Sequence, residues 1–238
     1  MIPGRMSKRD GIESEVTIEA GDALLQGTLH ILESCAGIVL FAHGSGSSRR
    51  SPRNRYVAQV LQSHGIATLL FDLLTREEES VDAFTGELRF NIPFLAKRLI
   101  DATHWVMQRP DLRDLRIGYF GASTGAGAAL LAAARSPEAV SAIVSRGGRP
   151  DLAGEALRTV EVPTLLIVGG DDEPVIGVNR TALAKLKCPE KDLVLIPGAT
   201  HLFEEPGTLE EVARIAADWF VRYLPAADRS HVSARIER

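Results

Sequence analysis

Only two cysteines, Cys35 and Cys188, occur in 238 residues, and neither belongs to a CxxC pair or a Cys/His cluster. A disulfide framework and a thiolate metal site are therefore not expected. Aromatic residues are scarce at 5%, and no apolar run approaches the length of a membrane span. Basic residues do not outnumber acidic ones: 27 against 31 leaves a net charge of -4 and a pI near 5.9. That balance offers no general attraction to nucleic acid or to an anionic membrane, so neither is expected as a partner. The stretch MIPGRMSKRDGIESEV carries basic residues with no apolar h-region behind them, and the expectation is a cytoplasmic protein.

What is present is an ordinary globular balance, 45% hydrophobic and 24% charged, enough for a sizeable core. Short runs rich in Val, Ile and Leu alternate with Gly-rich or polar corners and longer segments of helical spacing. The alternation predicts βαβ units and a mainly parallel sheet with helices on both faces. Residues 15–20 and 24–31 flank Gly21-Asp22 as a hairpin, followed by strands at 37–42, 66–72, 115–120, 140–145, 163–168 and 192–197. Helices are predicted over 52–64, 92–109, 124–135, 176–187 and 207–223. Without a linker or repeat, one domain over 15–224 is expected, with an extension at 1–14 and a polar tail at 225–238.

Directly after the strand LRIGYF and before an Ala-rich helical run stands Gly121-Ala122-Ser123-Thr124-Gly125. A GxSxG in that context predicts a sharp strand-to-helix turn with Ser123 exposed at the helix N-terminus as a nucleophile. The other reading of the same residues is a Gly-rich corner whose serine caps the helix. The loop His43-Gly44-Ser45-Gly46 after the first long strand can present the N–H of Ser45 opposite that of Thr124, making an oxyanion hole. A phosphate loop would need a Gly-Lys-Ser/Thr ending, which is missing, and a dinucleotide fingerprint would need glycine where Arg49 stands.

Of six histidines, His201 in PGATHLFEEPG lies between the last strand and the last helix, where a general base reaches a serine across the sheet edge. The carboxylate that orients it comes from VGGDDEPV, where Asp171, Asp172 and Glu173 compete. A Ca or Mg site there would need further ligands, because consecutive side chains diverge.

Through HGSGSS, GASTG, LLIVGGDDEPV and GATHLFEEPG the chain resembles the α/β-hydrolases, and specifically the dienelactone hydrolase-like group. The resemblance covers nearly the whole chain and implies a three-layer fold with the order Ser123, Asp172, His201, selecting Asp172 by its spacing from Gly169. Dienelactone hydrolases proper use a cysteine nucleophile, so Ser123 implies an esterase with a different natural substrate. Members of the group can also accompany phosphoribosyltransferase domains, and none is read in this chain. The short connection between Ser145 and Pro163 leaves no room for a large cap domain.

The expected function is a cofactor-free, metal-free serine hydrolase of small soluble esters or lactones, acting through an acyl-enzyme. A thioesterase or perhydrolase would use the same triad, and a hydrolase-fold binding protein would not turn over. His43, Arg49 and Arg146 are candidate substrate-binding residues. His43 also fits a role bracing the oxyanion loop, and the arginines are either solvated or a clamp that favours acidic esters. The excursion at 73–94 is a candidate pocket wall.

Overall fold

A computed structural model of the protein describes residues 11–224. Its centre is an eight-stranded sheet: β1 Ile12–Ala20, β2 Ala23–Ile31, β3 Ile38–Ala42, β4 Ala67–Phe71, β5 Ile117–Ala122, β6 Ala142–Arg146, β7 Thr164–Gly169 and β8 Lys191–Ile196. They lie in the order β1-β2-β4-β3-β5-β6-β7-β8. The hairpin β1–β2 is antiparallel, turning at Gly21-Asp22, and β2 joins β4 antiparallel, while every pair from β4 through β8 is parallel. β1 begins at Ile12, before the residue-15 start expected from sequence, and the tail from 225 lies outside the described residues.

Helices cover both faces. α1 Pro52–Ser63 and α6 Thr208–Tyr223 pack on one, against Val39, Phe41, Phe120 and Val144. The other face carries α3 Ile92–Gln108, α4 Thr124–Arg135 and α5 Glu173–Lys185, while α2 Arg76–Thr85 stands in the loop after β4. β3 through β7 are buried at every position, as parallel strands covered on both sides must be. The three layers agree with the fold class expected from sequence.

Local chemistry explains the ends. Ser51 Oγ accepts from the N–H of Asn54, and Pro52 opens α1 where no N–H is needed. In α6, Val212, Ala216 and Phe220 recur every four residues and are fully buried. Truncating Phe220 to alanine would cost about 3–5 kcal/mol. α2, not expected from sequence, starts with a reciprocal Thr75–Glu78 capping box and ends at Gly86 in the left-handed region. The connection from β6 to β7 carries 3-10 turns over Pro150–Thr159 instead of a cap. Among the described residues no helix is long and apolar enough to cross a membrane.

Candidate active site

The carboxyl ends of β5 to β8 line up through their register, Ala122 beside Arg146, Arg146 beside Ile167, and Gly169 beside Ile196. Loops leaving that edge converge. Ser123 sits between β5 and α4 with φ 50 and ψ -120. A non-glycine residue holds that conformation only where its surroundings dictate it. Here Ser123 donates its N–H to the carbonyl of Arg146 at 3.3 Å, and its own carbonyl accepts from Arg149 and Ala126 at 3.0 and 3.1 Å. Its hydroxyl makes no capping bond to α4.

The flanking glycines answer to contact. A Cβ on Gly121 would stand 2.5 Å from Ala126 Cα, and one on Gly125 would stand 2.1 Å from the carbonyl oxygen of Ala42. No side chain fits at either position.

Facing the turn is the loop after β3. Gly44 lies against Ser123, since a Cβ on Gly44 would be 3.0 Å from the serine Cβ. The N–H of Ser45 donates to Thr124 Oγ1 at 2.9 Å, which corrects the expectation that this N–H is free for an oxyanion, because the threonine hydroxyl already accepts it. The N–H of Thr124 opens α4, with no carbonyl four residues back within the helix to accept it.

His43 is 8% exposed and doubly bonded: its Nε2 accepts from the N–H of Leu73 at 3.0 Å, and its Nδ1 lies 3.0 Å from the carbonyl of Gly44. With Nε2 accepting, Nδ1 carries the proton and donates. Burial pushes the imidazole below its ordinary value, which keeps it neutral. Both ring nitrogens thus hold loop backbone together.

His201 lies on the loop between β8 and α6, with Nδ1 2.7 Å from Asp172 Oδ2. The Asp172 side chain is 11% exposed, whereas Asp171 is turned to solvent. A Cβ on Gly147, next to Arg146, would lie 3.6 Å from His201 Cε1, so the imidazole stands over the strand end that holds Ser123. Glu205 fixes the loop, accepting from the Thr200 N–H at 3.1 Å and the Thr200 hydroxyl at 2.6 Å. The Thr200 hydroxyl holds the Glu205 carboxyl below its usual range. Sequence reading missed Glu205.

The arginines do not form one clamp. Arg49 Nη1 pairs with Asp72 at 2.6 Å and its Nη2 with Glu15 at 2.9 Å, beside a hollow at the β1–β2 hairpin. The structure therefore corrects the expectation that Arg49 reaches the site, because two carboxylates hold it elsewhere. Arg53 pairs with Glu204 and Arg149 with Asp151. Arg146 is 8% exposed on the α1 side, with Nη2 3.2 Å from Asn54 Oδ1 and its guanidinium 6.0 Å from the Phe203 ring centre. Burial, reinforced by Arg53, pushes it down to about 10.

A cavity of about 180 Å³ opens beside Ser45 and Thr124, walled by His43, Leu73, Leu74 and Leu95 together with Glu79, Asp82 and Ala83 of α2. The 73–94 excursion thus supplies one wall.

The chain has known relatives. A Mycobacterium tuberculosis protein provisionally named a phosphoribosyl transferase is 58% identical over 214 residues, covering 89% of this chain and 47% of that protein. The chain therefore spans about half the length of the curated relatives it matches so well. The crystal structure of a dienelactone hydrolase from Anabaena variabilis is 59% identical, with a TM-score of 0.88, covering 90% of this chain and 98% of that one. Est1E from Butyrivibrio proteoclasticus shares the fold at 16% identity, with a TM-score of 0.75 over 88% of this chain and 98% of its own. Residues 31–232 match the model of the dienelactone hydrolase family. The chain belongs to the dienelactone hydrolase family.

Proposed function

We propose that the protein hydrolyses carboxylic esters or lactones of small soluble molecules through an acyl-enzyme on Ser123, with His201 as base and Asp172 as its orienting acid. The observation that carries this reading is the left-handed Ser123 at the start of α4, whose hydroxyl makes no capping bond. A serine present only to cap the helix would use that hydroxyl and would not need the strain.

With Nδ1–H donated to Asp172, Nε2 of His201 is the nitrogen free to take the proton of Ser123 Oγ. Oγ attacks the ester carbonyl carbon, and the carbonyl oxygen becomes an oxyanion held by the N–H of Thr124, since the Ser45 N–H is committed to Thr124 Oγ1. Each donor of this kind is worth about 2.7–4 kcal/mol in the transition state. The imidazolium, stabilised by Asp172, returns its proton to the departing alkoxide. Water then attacks the acyl carbon with His201 again as base, releasing the acid and restoring Ser123.

No step calls for a cofactor or a metal. The absence of a cap between β6 and β7 favours small substrates over long lipids. The transferase name of the mycobacterial relative belongs to that protein, which is about twice as long as the match, and its match overlaps the hydrolase family region here. A panel of aryl esters, lactones, thioesters and peracid formation, run on wild type and Ser123→Ala, tests the proposal. Ester or lactone turnover lost in the variant supports it. Thioester turnover alone would move the same triad to the thioesterase reading.

A further inference from the structure

The cavity beside Ser45 and Thr124 does not end at α2. Ser45, Gly46, Ala83 and Arg89 also line a second, open hollow of about 310 Å³, whose far side is Phe84 and Phe90. One groove therefore runs from the candidate oxyanion residues to a pair of aromatic rings. Phe84 is 93% exposed and Phe90 61% exposed, in a chain with only eight phenylalanines. Leu73, Leu74 and Leu95 make its inner end apolar.

The charge along this groove is settled by pairing. Its one arginine, Arg89, is consumed by Asp82, which its Nε meets at 2.6 Å and whose carbonyl accepts from its Nη2. Asp72 is consumed by Arg49. His43 is buried and neutral. Glu79 remains, an exposed carboxylate on the wall that no side-chain hydrogen bond or ion pair engages among the described residues, with only the neutral His43 near enough to feel its charge. The groove presents apolar surface, one uncompensated negative charge and no free cation.

Resting on the ester-hydrolase reading above, we propose that this groove holds the non-reacting limb of the substrate. That limb is apolar, reaches from the ester group to Phe84 and Phe90, and carries no negative charge. An anionic limb would meet Glu79 with no cation to offset its desolvation. An aryl or alkyl limb would cover the two exposed rings, gaining from the area removed from water, and its inner part would meet apolar wall at Leu73, Leu74 and Leu95.

The test compares p-nitrophenyl acetate, p-nitrophenyl 4-phenylbutanoate and the para-carboxylated form of the latter. A matched set of acetates places the same limbs on the alcohol. Wild type, Phe84→Ala, Phe90→Ala and Glu79→Gln are assayed, and fluorophosphonate labelling of Ser123 is read in parallel. In one of the two sets, the phenyl limb should raise kcat/KM over the short ester by about 10-fold. Its carboxylated form should fall about 5-fold below the neutral one.

Each Phe→Ala variant should lose about 3-fold on the phenyl ester with the short ester unchanged. Glu79→Gln should narrow the carboxylate gap. Equal rates for short and phenyl limbs in both sets, or a carboxylated limb as good as the neutral one, overturns the proposal. If Ser123 is labelled while either happens, this inference fails alone. If Ser123 is not labelled and no ester is cleaved, the ester-hydrolase reading fails and this one with it.

Discussion

The N–H of Ser45 donates to the hydroxyl of Thr124 at 2.9 Å, tying the loop after β3 to the first residue of α4. The bond uses the Ser45 N–H and leaves the backbone N–H of Thr124 as the donor at the start of α4. Thr124 is thus more than the residue that follows the nucleophile. Its side chain sets where the opposing amide stands, and it lines the cavity behind it.

Thr124→Val keeps the shape and removes the acceptor that fixes the loop after β3 beside Ser123, so kcat should fall by about 10-fold or more through misplacement of that loop while KM changes little. Thr124→Ser should restore most of the rate. Steady-state kinetics on one aryl ester decides the matter, and a loss in the Ser variant with the Val variant unchanged would show that packing of the γ-methyl, not the hydroxyl, is what counts.

Asp172 and Asp171 are neighbours with different surroundings. Asp172 meets His201 Nδ1 at 2.7 Å, while Asp171 faces solvent with its N–H on the carbonyl of Ala199. Asp172→Asn should lower kcat by about 10³- to 10⁴-fold, and Asp171→Asn by far less. Thermal melts must show both variants folded. A crippled, folded Asp171→Asn would exchange their roles.

Gly125→Ala drives a methyl group into backbone, the carbonyl of Ala42, rather than into a movable side chain. Urea unfolding should show a loss of about 3 kcal/mol or more. A loss below 1 kcal/mol, at about the size of an ordinary surface change, would mean that the turn opens more easily than its contacts imply.

His43 gives the fold a pH dependence. Burial depresses its folded value, so the neutral form is the one the fold prefers. The stability this supplies is present above the ordinary imidazole value and is lost as pH falls from there toward the depressed one. Urea unfolding at about pH 7 and about pH 5 should show wild type losing stability on acidification, and His43→Asn losing less over the same window. Parallel slopes would remove His43 from the account.

What was legible in the sequence was local. The turn at Ser123 is written in two glycines and the strand and helix on either side. The place of His201 follows from a loop that must leave the same sheet edge, whereas Asp172 was singled out from Asp171 and Glu173 only by the family resemblance. The arginines were not legible, because Arg49 finds Asp72 and Glu15 only once β2 pairs with β4 and brings the hairpin beside α1.

α2 escaped for a different reason. REEESVDAFT buries only Asp82, so it has no apolar stripe to betray it, although the Thr75–Glu78 cap was there to be seen. The side-chain role of Thr124 depends on a contact between residues 79 apart, which no local pattern encodes.

The most direct measurement of the central claim is covalent. Incubate the full chain with a fluorophosphonate reagent, digest it, and locate the adduct by mass spectrometry, with residual esterase activity followed in the same samples. The account predicts one modified serine, Ser123, loss of activity in step with its modification, and no labelling of Ser123→Ala. An adduct on another serine that tracks the loss of activity, or full turnover by Ser123→Ala, would contradict it.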